Sequence, residues 1–187
     1  MNLANKITMT RICMIPLFMI AYLIQFPYHN LVACGIFALA AFTDGVDGYV
    51  ARNYKMVTDF GKFIDPLADK LLMATALICF VESGEIAGYM AILIIAREFI
   101  VTGLRTIAMS KGVVIAASMT GKIKTCIQII AVICVFLFGR NPDYGNFEIL
   151  LFGSSYTPGF IAMFIATIYT VYSGVEYLSK NKKLLID

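Results

Sequence analysis

Six long apolar segments alternate with short polar breaks along the chain. They cover residues 8–26, 30–52, 59–82, 86–109, 118–139 and 148–178. Each is close to the roughly 20 residues that a helix needs to cross the hydrocarbon core of a bilayer. Pro158, inside the last segment, predicts a kink or a late start of that helix. The pattern therefore predicts an all-α integral membrane protein of one domain, residues 1–187, with six transmembrane helices and a short interfacial N-terminal segment.

Basic residues are distributed unevenly between the two sides of these predicted spans. Thirteen lysines and arginines fall on the side of the termini, whereas one, Arg140, falls in a loop on the other side. Arg97 lies within the fourth segment. Because cytoplasmic loops of membrane proteins carry an excess of lysine and arginine, both termini are predicted to face the cytoplasm.

Composition agrees with this class of protein. Sixty per cent of the residues are hydrophobic and only 14% are charged, which is too little charge for the surface of a soluble domain. The net charge of +3 comes without a basic tract, so no nucleic-acid partner is expected. The five cysteines all fall in apolar segments without a Cys-x-x-Cys pair, and we interpret them as small buried hydrophobes.

Two pairs of aspartates stand out near the predicted cytoplasmic ends of adjacent segments. Asp44 and Asp47 are three residues apart in the second segment, and Asp65 and Asp69 are four apart in the third. Residues three or four apart share one face of a helix. A short loop around residues 53–58 makes the two helices antiparallel neighbours. We therefore expect both pairs to reach the same depth in one cavity.

Carboxylates inside a membrane span are costly and usually functional. Four of them facing one another would repel, and a bound cation would offset that repulsion. Oxygen ligands with no cysteine or histidine nearby favour two hard ions, Mg²⁺ or Mn²⁺. Small residues one helical turn from the aspartates leave room for a nucleotide, and Arg52 offers a fork for a phosphate oxygen. These small residues are Gly48, Ala51 and Gly61.

Residues 44–69 carry a recognisable signature. The stretch contains Asp-x-x-Asp-Gly-x-x-Ala-Arg from Asp44 to Arg52, then eight residues, then Gly-x-x-x-Asp-x-x-x-Asp from Gly61 to Asp69. With eight specified positions over 26 residues, it resembles the signature of the CDP-alcohol phosphatidyltransferase family. The resemblance implies a homodimeric enzyme of a bacterial plasma membrane, multi-pass, with its active site facing the cytoplasm. It also implies CDP-diacylglycerol as the donor and CMP as a product.

The resemblance assigns roles to the signature residues. It implies that four carboxylates hold the two metal ions: Asp44, Asp47, Asp65 and Asp69. It places five residues around the cytidine diphosphate: Asp47, Gly48, Ala51, Arg52 and Gly61. Asp69, the last carboxylate, is the candidate general base on the acceptor hydroxyl, a role it can combine with metal contact.

Three further stretches resemble the family members that use sn-glycerol 3-phosphate and form phosphatidylglycerophosphate. They are residues 96–105, residues 121–125 and the N-terminal Asn5-x-x-Thr8-x-x-Arg11. A phosphorylated acceptor needs cationic residues, and Arg97 is the sharpest candidate because an unpaired guanidinium inside a span is costly. The predicted acceptor cluster is Arg97, Arg105, Lys122 and Lys124, with Thr8 and Arg11 as further candidates.

Other interpretations of the same residues remain open. Arg97 could instead pair with Glu98 or with one of the aspartates, and Lys122 and Lys124 could serve as interface anchors. The acceptor could be inositol phosphate, serine or phosphatidylglycerol, although a basic cluster argues against free serine. The carboxylates could also form a structural ion network or the pathway of a divalent-cation transporter, but Arg52 beside them would oppose the passage of a cation.

Overall fold

The computed structural model describes residues 3–24, 26–54, 59–112, 118–139, 149–151 and 154–182. Side chains are described for these ranges apart from residues 3–8, 44–54, 59–66, 69, 150–151 and 154–155. The described helices are α1 Leu3–Leu23, α2 His29–Tyr54, α3 Asp59–Glu82, α4 Gly88–Ser110, α5 Met119–Phe138 and α6 Pro158–Lys180. Each corresponds to one of the six apolar segments, so the predicted helical architecture is confirmed.

The sixth segment differs from the prediction because its first part is not helical. Residues 149–151 and 154–156 form strands β1 and β2, an antiparallel pair in which Ile149 lies opposite Tyr156. The helix begins at Pro158, because proline lacks an N–H and is tolerated in a first turn but not in a helix interior. The side chain of Thr157 caps this end by accepting a hydrogen bond from the N–H of Phe160 over 3.1 Å. Apart from this strand pair, the described elements are all helices, as the all-α prediction expects.

The first of two compact units contains α1, α2 and α3. Helix α1 packs against both α2 and α3, and α2 also contacts α3. Aromatic side chains hold the helices together: the ring centres of Phe18 and Phe37 are 6.0 Å apart, and those of Tyr22 and Phe80 are 5.6 Å apart. The Tyr22 hydroxyl also hydrogen-bonds the Ser83 side chain over 2.7 Å. These contacts fix the end of α3 that lies farthest along the helix from its aspartates.

The second unit contains α4, α5 and α6. Helix α6 packs against both α4 and α5. Near its start α6 comes very close to α5, since a Cβ atom added at Gly159 would lie 2.7 Å from the Cα atom of Val135. Farther along, the buried Gln128 side chain donates a hydrogen bond from Nε2 to Oγ1 of Thr170 over 3.0 Å. Small residues at close crossings and polar side chains between helices are both typical of packing within a membrane.

The outer surface of the helices is strongly apolar. Every helix exposes large hydrophobic side chains, among them Leu17, Phe42, Ile78, Ile92, Ile130 and Val175. Helices α5 and α6 are long and apolar enough to cross a membrane, and the parts of α1 and α2 with described side chains, Met9–Leu23 and His29–Thr43, form shorter apolar stretches. An apolar exterior of this extent suits a lipid environment better than water.

Candidate active site

The backbone places the four aspartates in two continuous helices. Asp44 and Asp47 belong to α2, and Asp65 and Asp69 belong to α3. Only residues 55–58 separate these helices along the chain, and the two helices contact each other within the first unit. Helical spacing therefore gives each aspartate pair one face of its helix. The side chains of all four lie outside the described part of the chain.

The small residues of the signature continue the same helical stripes. In α3, Gly61, Asp65 and Asp69 recur every four residues, and in α2 Ala51 follows Asp47 by four. The side chains of Ala51 and Arg52, like the surroundings of Gly48 and Gly61, lie outside the described part. Among the side chains that the structure describes, no three of His, Cys, Asp or Glu lie close enough together to hold a metal ion. The four aspartates were not among those side chains, and their role as metal ligands stays a prediction from the sequence.

Helix α1 contributes a buried cation to the first unit. Arg11 is only 1% exposed, although it lies in an otherwise apolar stretch. A guanidinium buried to this degree needs acceptors or negative charge around it. Thr8 precedes Arg11 by three residues in the same helix, and its side chain lies outside the described part.

In the second unit, Arg97 joins side chains from three helices. Its Nη2 donates a hydrogen bond to Oγ of the fully buried Ser173 in α6 over 2.9 Å. Its Nη1 lies 3.3 Å from Oε1 of the neighbouring Glu98, and the Nζ of Lys124 in α5 forms an ion pair with the same oxygen. We call these four residues the Arg97 cluster: Arg97, Glu98, Lys124 and Ser173. The structure therefore brings Arg97 and Lys124 together through Glu98.

The Arg97 cluster has the charge and the donors to accept an anion. It combines two formal positive charges, on Arg97 and Lys124, with one negative charge on Glu98. The Nε of Arg97 is buried and has no hydrogen-bond partner among the described residues. A buried donor that makes no hydrogen bond costs about 1–3 kcal/mol, so an anionic ligand at this atom would remove a real penalty.

The other two predicted cations have different surroundings. Arg105 donates from Nε to the Tyr177 hydroxyl over 3.0 Å, and its guanidinium carbon lies 5.4 Å from the centre of that ring. Arg97 and Arg105 therefore both contact α6. Lys122, by contrast, is exposed, because two residues along α5 turn it away from the direction of Lys124. The structure does not place Lys122 within the Arg97 cluster.

Two contact residues of α6 were not predicted as site residues from the sequence. Ser173 and Tyr177 each hold one arginine of α4, and they are four residues apart on one helical face. The sequence did contain a sign of their role, because both are polar side chains within an apolar segment. Such side chains are usually buried against another polar group. Glu98 was considered only as a partner of Arg97, whereas it bridges Arg97 and Lys124.

The chain is similar to known proteins over nearly its whole length. The family model described as CDP-alcohol phosphatidyltransferase matches residues 1–172, which include the whole signature. The chain is 45% identical over 196 residues to the CDP-diacylglycerol–glycerol-3-phosphate 3-phosphatidyltransferase of Bacillus subtilis (strain 168). That match covers 98% of this chain and 97% of the relative.

Two further relatives are similar over nearly the whole chain. A probable phosphatidylglycerophosphate synthase of Mycobacterium tuberculosis (strain ATCC 25618 / H37Rv) is 38% identical over 182 residues, covering 96% of this chain and 81% of the relative. The CDP-diacylglycerol–glycerol-3-phosphate 3-phosphatidyltransferase of Rickettsia bellii (strain RML369-C) is 34% identical over 182 residues, covering 97% and 96%. The family expected from the signature is thereby confirmed: the chain belongs to the CDP-alcohol phosphatidyltransferase family.

Proposed function

We propose that this protein transfers the phosphatidyl group of CDP-diacylglycerol to sn-glycerol 3-phosphate, forming phosphatidylglycerophosphate and CMP. The names of the relatives from Bacillus subtilis and Rickettsia bellii describe this activity. The observation that carries the choice of acceptor is the buried Arg97, whose Nε lacks a partner among the described residues. A phosphorylated alcohol supplies the negative charge that this donor needs, whereas free serine brings no phosphate.

All six helices span the plasma membrane of a bacterium, with both termini in the cytoplasm. The apolar exterior of the helices and the excess of basic residues on the side of the termini support this topology. It places the aspartates near the cytoplasmic ends of α2 and α3. The tails of the lipid donor remain in the bilayer there, while CMP and glycerol 3-phosphate exchange with water.

The donor binds along the facing stripes of α2 and α3. Four carboxylates hold two Mg²⁺ or Mn²⁺ ions: Asp44, Asp47, Asp65 and Asp69. When bound, the ions neutralise the donor pyrophosphate and the charge that develops on departing CMP. Gly48, Ala51 and Gly61 leave space for the cytidine group, which Asp47 also contacts, and the Arg52 guanidinium binds a phosphate oxygen.

The chemical step needs a base and a leaving group. Asp69 accepts the proton of the acceptor hydroxyl, and the oxygen attacks the phosphorus that carries diacylglycerol. A new P–O bond forms as the bond between that phosphorus and the CMP oxygen breaks, and CMP leaves with the electron pair. No bond to the glycerol backbone of the lipid changes.

Arg97, Arg105 and Lys124 bind the phosphate of the acceptor. Lys122, which is exposed, contributes attraction for the anion as it approaches from the water. Thr8 and Arg11 of α1 are additional substrate contacts.

The reaction is tested by measuring CMP release. Purified protein in detergent receives CDP-diacylglycerol, Mg²⁺ or Mn²⁺, and one alcohol at a time: glycerol 3-phosphate, inositol phosphate, serine or phosphatidylglycerol. We expect CMP with glycerol 3-phosphate. Release with another alcohol but not with glycerol 3-phosphate would change the acceptor, and no release with any alcohol would reject the enzyme activity.

The protein also acts as a homodimer, as the family resemblance implies. The chain has a mass of 20.6 kDa, so light scattering in detergent should give a protein mass of about twice that value. A mass of a single chain at working concentration would contradict the dimer and leave the reaction unaffected.

A further inference from the structure

The stem of the Arg97 side chain crosses α6 at a glycine. A Cβ atom added at Gly174 would lie 2.9 Å from Cγ of Arg97, and 3.8 Å and 3.9 Å from its Nε and Cβ. A separation under 3.0 Å is shorter than real contacts of a Cβ atom. The side chain of Arg97 therefore occupies the space that any other residue at position 174 would fill.

The head of the same side chain is held by the residue next to that glycine. Ser173 is fully buried, and its Oγ accepts the hydrogen bond from Nη2 of Arg97 over 2.9 Å. Gly174 and Ser173 thus contact the stem and the head of one arginine. We call this pair the arginine seat. Two points of contact fix the direction of a side chain that otherwise has several rotatable bonds.

The direction of the Arg97 side chain matters because a guanidinium in a membrane could instead point toward the interface. A long basic side chain in an apolar span tends to extend toward the nearest polar interface. In the structure, Arg97 instead remains inside the second unit, with its side chain only 11% exposed. The arginine seat and the ion pair with Glu98 both favour this buried position over an extended one.

We propose that Ser173 and Gly174 are positioning residues that orient Arg97 so that its Nε presents a donor to the acceptor phosphate. This inference deepens the proposed function and depends on it. Nη1 and Nη2 already donate to Glu98 and Ser173, whereas the buried Nε has no partner among the described residues. An orientation fixed before binding lowers the entropy cost of capturing the phosphate.

The test compares two substitutions in the seat with two matched controls outside it. Gly174→Ala displaces the stem of Arg97, and Ser173→Ala removes the hydrogen bond to its head. Gly103→Ala is the glycine control, because nothing lies within 4 Å of a Cβ atom there, and Ser110→Ala is the serine control at an exposed position. For each protein, KM for both substrates and kcat are measured, together with the rise in Tm that glycerol 3-phosphate alone produces.

We expect each seat variant to raise KM for glycerol 3-phosphate by roughly 10-fold or more, since a hydrogen bond to a charged group contributes about 1.5–3 kcal/mol. KM for CDP-diacylglycerol should change by less than about twofold, because residues of α2 and α3 are proposed to bind the lipid donor. The rise in Tm with glycerol 3-phosphate should shrink in both seat variants. Both controls should behave as the unaltered protein.

An unchanged KM for glycerol 3-phosphate in a folded seat variant would overturn the inference, as would an equal rise of KM for both substrates. If Gly174→Ala does not fold, KM for glycerol 3-phosphate in Ser173→Ala alone tests the inference. Unaltered protein that releases no CMP with glycerol 3-phosphate rejects the proposed function instead. In that case the rise in Tm with glycerol 3-phosphate still tests the arginine seat. If the unaltered protein shows no such rise, the role proposed for the seat is overturned as well.

Discussion

Arg105 in α4 and Tyr177 in α6 are joined in two ways: Nε donates to the tyrosine hydroxyl over 3.0 Å, and the guanidinium carbon lies 5.4 Å from the ring centre. Arg97 has a comparable partner four residues earlier in α6, at Ser173. One face of α6 therefore holds both arginines that we assign to the acceptor phosphate.

Two substitutions of Tyr177 test its hydrogen bond and its cation–π contact with Arg105 separately. Tyr177→Phe keeps the ring but removes the hydroxyl, so we expect KM for glycerol 3-phosphate to rise by about 3- to 10-fold. Tyr177→Leu removes the ring as well and should raise it further, because the cation–π contact is lost. Steady-state kinetics with each substrate varied in turn measures both changes. A rise confined to CDP-diacylglycerol would assign Arg105 to the donor.

Removing the arginines should chiefly weaken acceptor binding. Arg97→Ala and Arg105→Ala each delete donors to the phosphate, and we expect KM for glycerol 3-phosphate to rise by roughly 10- to 100-fold. Lys111→Ala, which removes an exposed cation at the end of α4, is the matched control and should change KM little. A selective rise in KM for the lipid donor would place these arginines in the other pocket.

Asp69→Asn tests the assignment of the general base. The amide has nearly the same shape and keeps an oxygen that can contact a metal ion, but it cannot accept the proton. We expect kcat to fall by at least about 100-fold while donor binding, followed by the rise in Tm with CDP-diacylglycerol, stays largely intact. Full turnover in this variant would refute the role of Asp69.

Metal removal tests the role of the four aspartates together. A chelator should abolish CMP release, and added Mg²⁺ or Mn²⁺ should restore it, because the pyrophosphate of the donor needs its charge neutralised. Substituting Asp44 or Asp65 by Ala should raise the metal concentration required for half-maximal activity. Activity that persists after thorough chelation would contradict a metal-dependent reaction.

Gly159→Ala should destabilise the second unit without a direct effect on the chemistry. The added Cβ would lie 2.7 Å from Cα of Val135 and 3.1 Å from the carbonyl oxygen of Cys134, and backbone atoms cannot easily move away. Overpacking of this kind costs about 1–3 kcal/mol, which should lower Tm in detergent. Gly103→Ala is the control and should preserve or raise Tm, since alanine favours a helix. An unchanged Tm for Gly159→Ala would show that α5 and α6 can separate at no cost.

The helices were predictable because each depends on a local pattern. The fourth apolar segment was predicted over residues 86–109, and the helix observed there is Gly88–Ser110, since a long apolar run between polar breaks suffices to predict a helix. The sixth segment was predicted too long because it included the apolar run from Ile149 to Leu151, which forms β1. The start signals at Thr157 and Pro158 mark where the helix begins.

The aspartates and the Arg97 cluster differ in how far the sequence predicts them. The spacing of the aspartates in α2 and α3 is a property of neighbouring residues, so the sequence pattern suffices to put each pair on one face of its helix; that the two pairs face each other stays a prediction. The partners of Arg97 could not be predicted in this way, because Ser173 lies 76 residues farther along the chain and Lys124 lies 26 residues from Glu98. Such pairings depend on which helices pack together. The exposed position of Lys122 similarly follows from the rotation of α5 and not from its charge.

The distance along the chain between Arg97 and Ser173 also has a consequence for biosynthesis. Glu98 is the first partner available to a newly made α4, Lys124 follows with α5, and Ser173 emerges last. At about 5–20 residues per second, translation needs roughly 4–15 s to cover the 76 residues from Arg97 to Ser173. In the proposed topology, α4 enters the bilayer during this interval while Arg97 still lacks its hydrogen bond to Ser173. We therefore expect chains that terminate before α6 to be retained poorly in the membrane and cleared by its quality-control proteases.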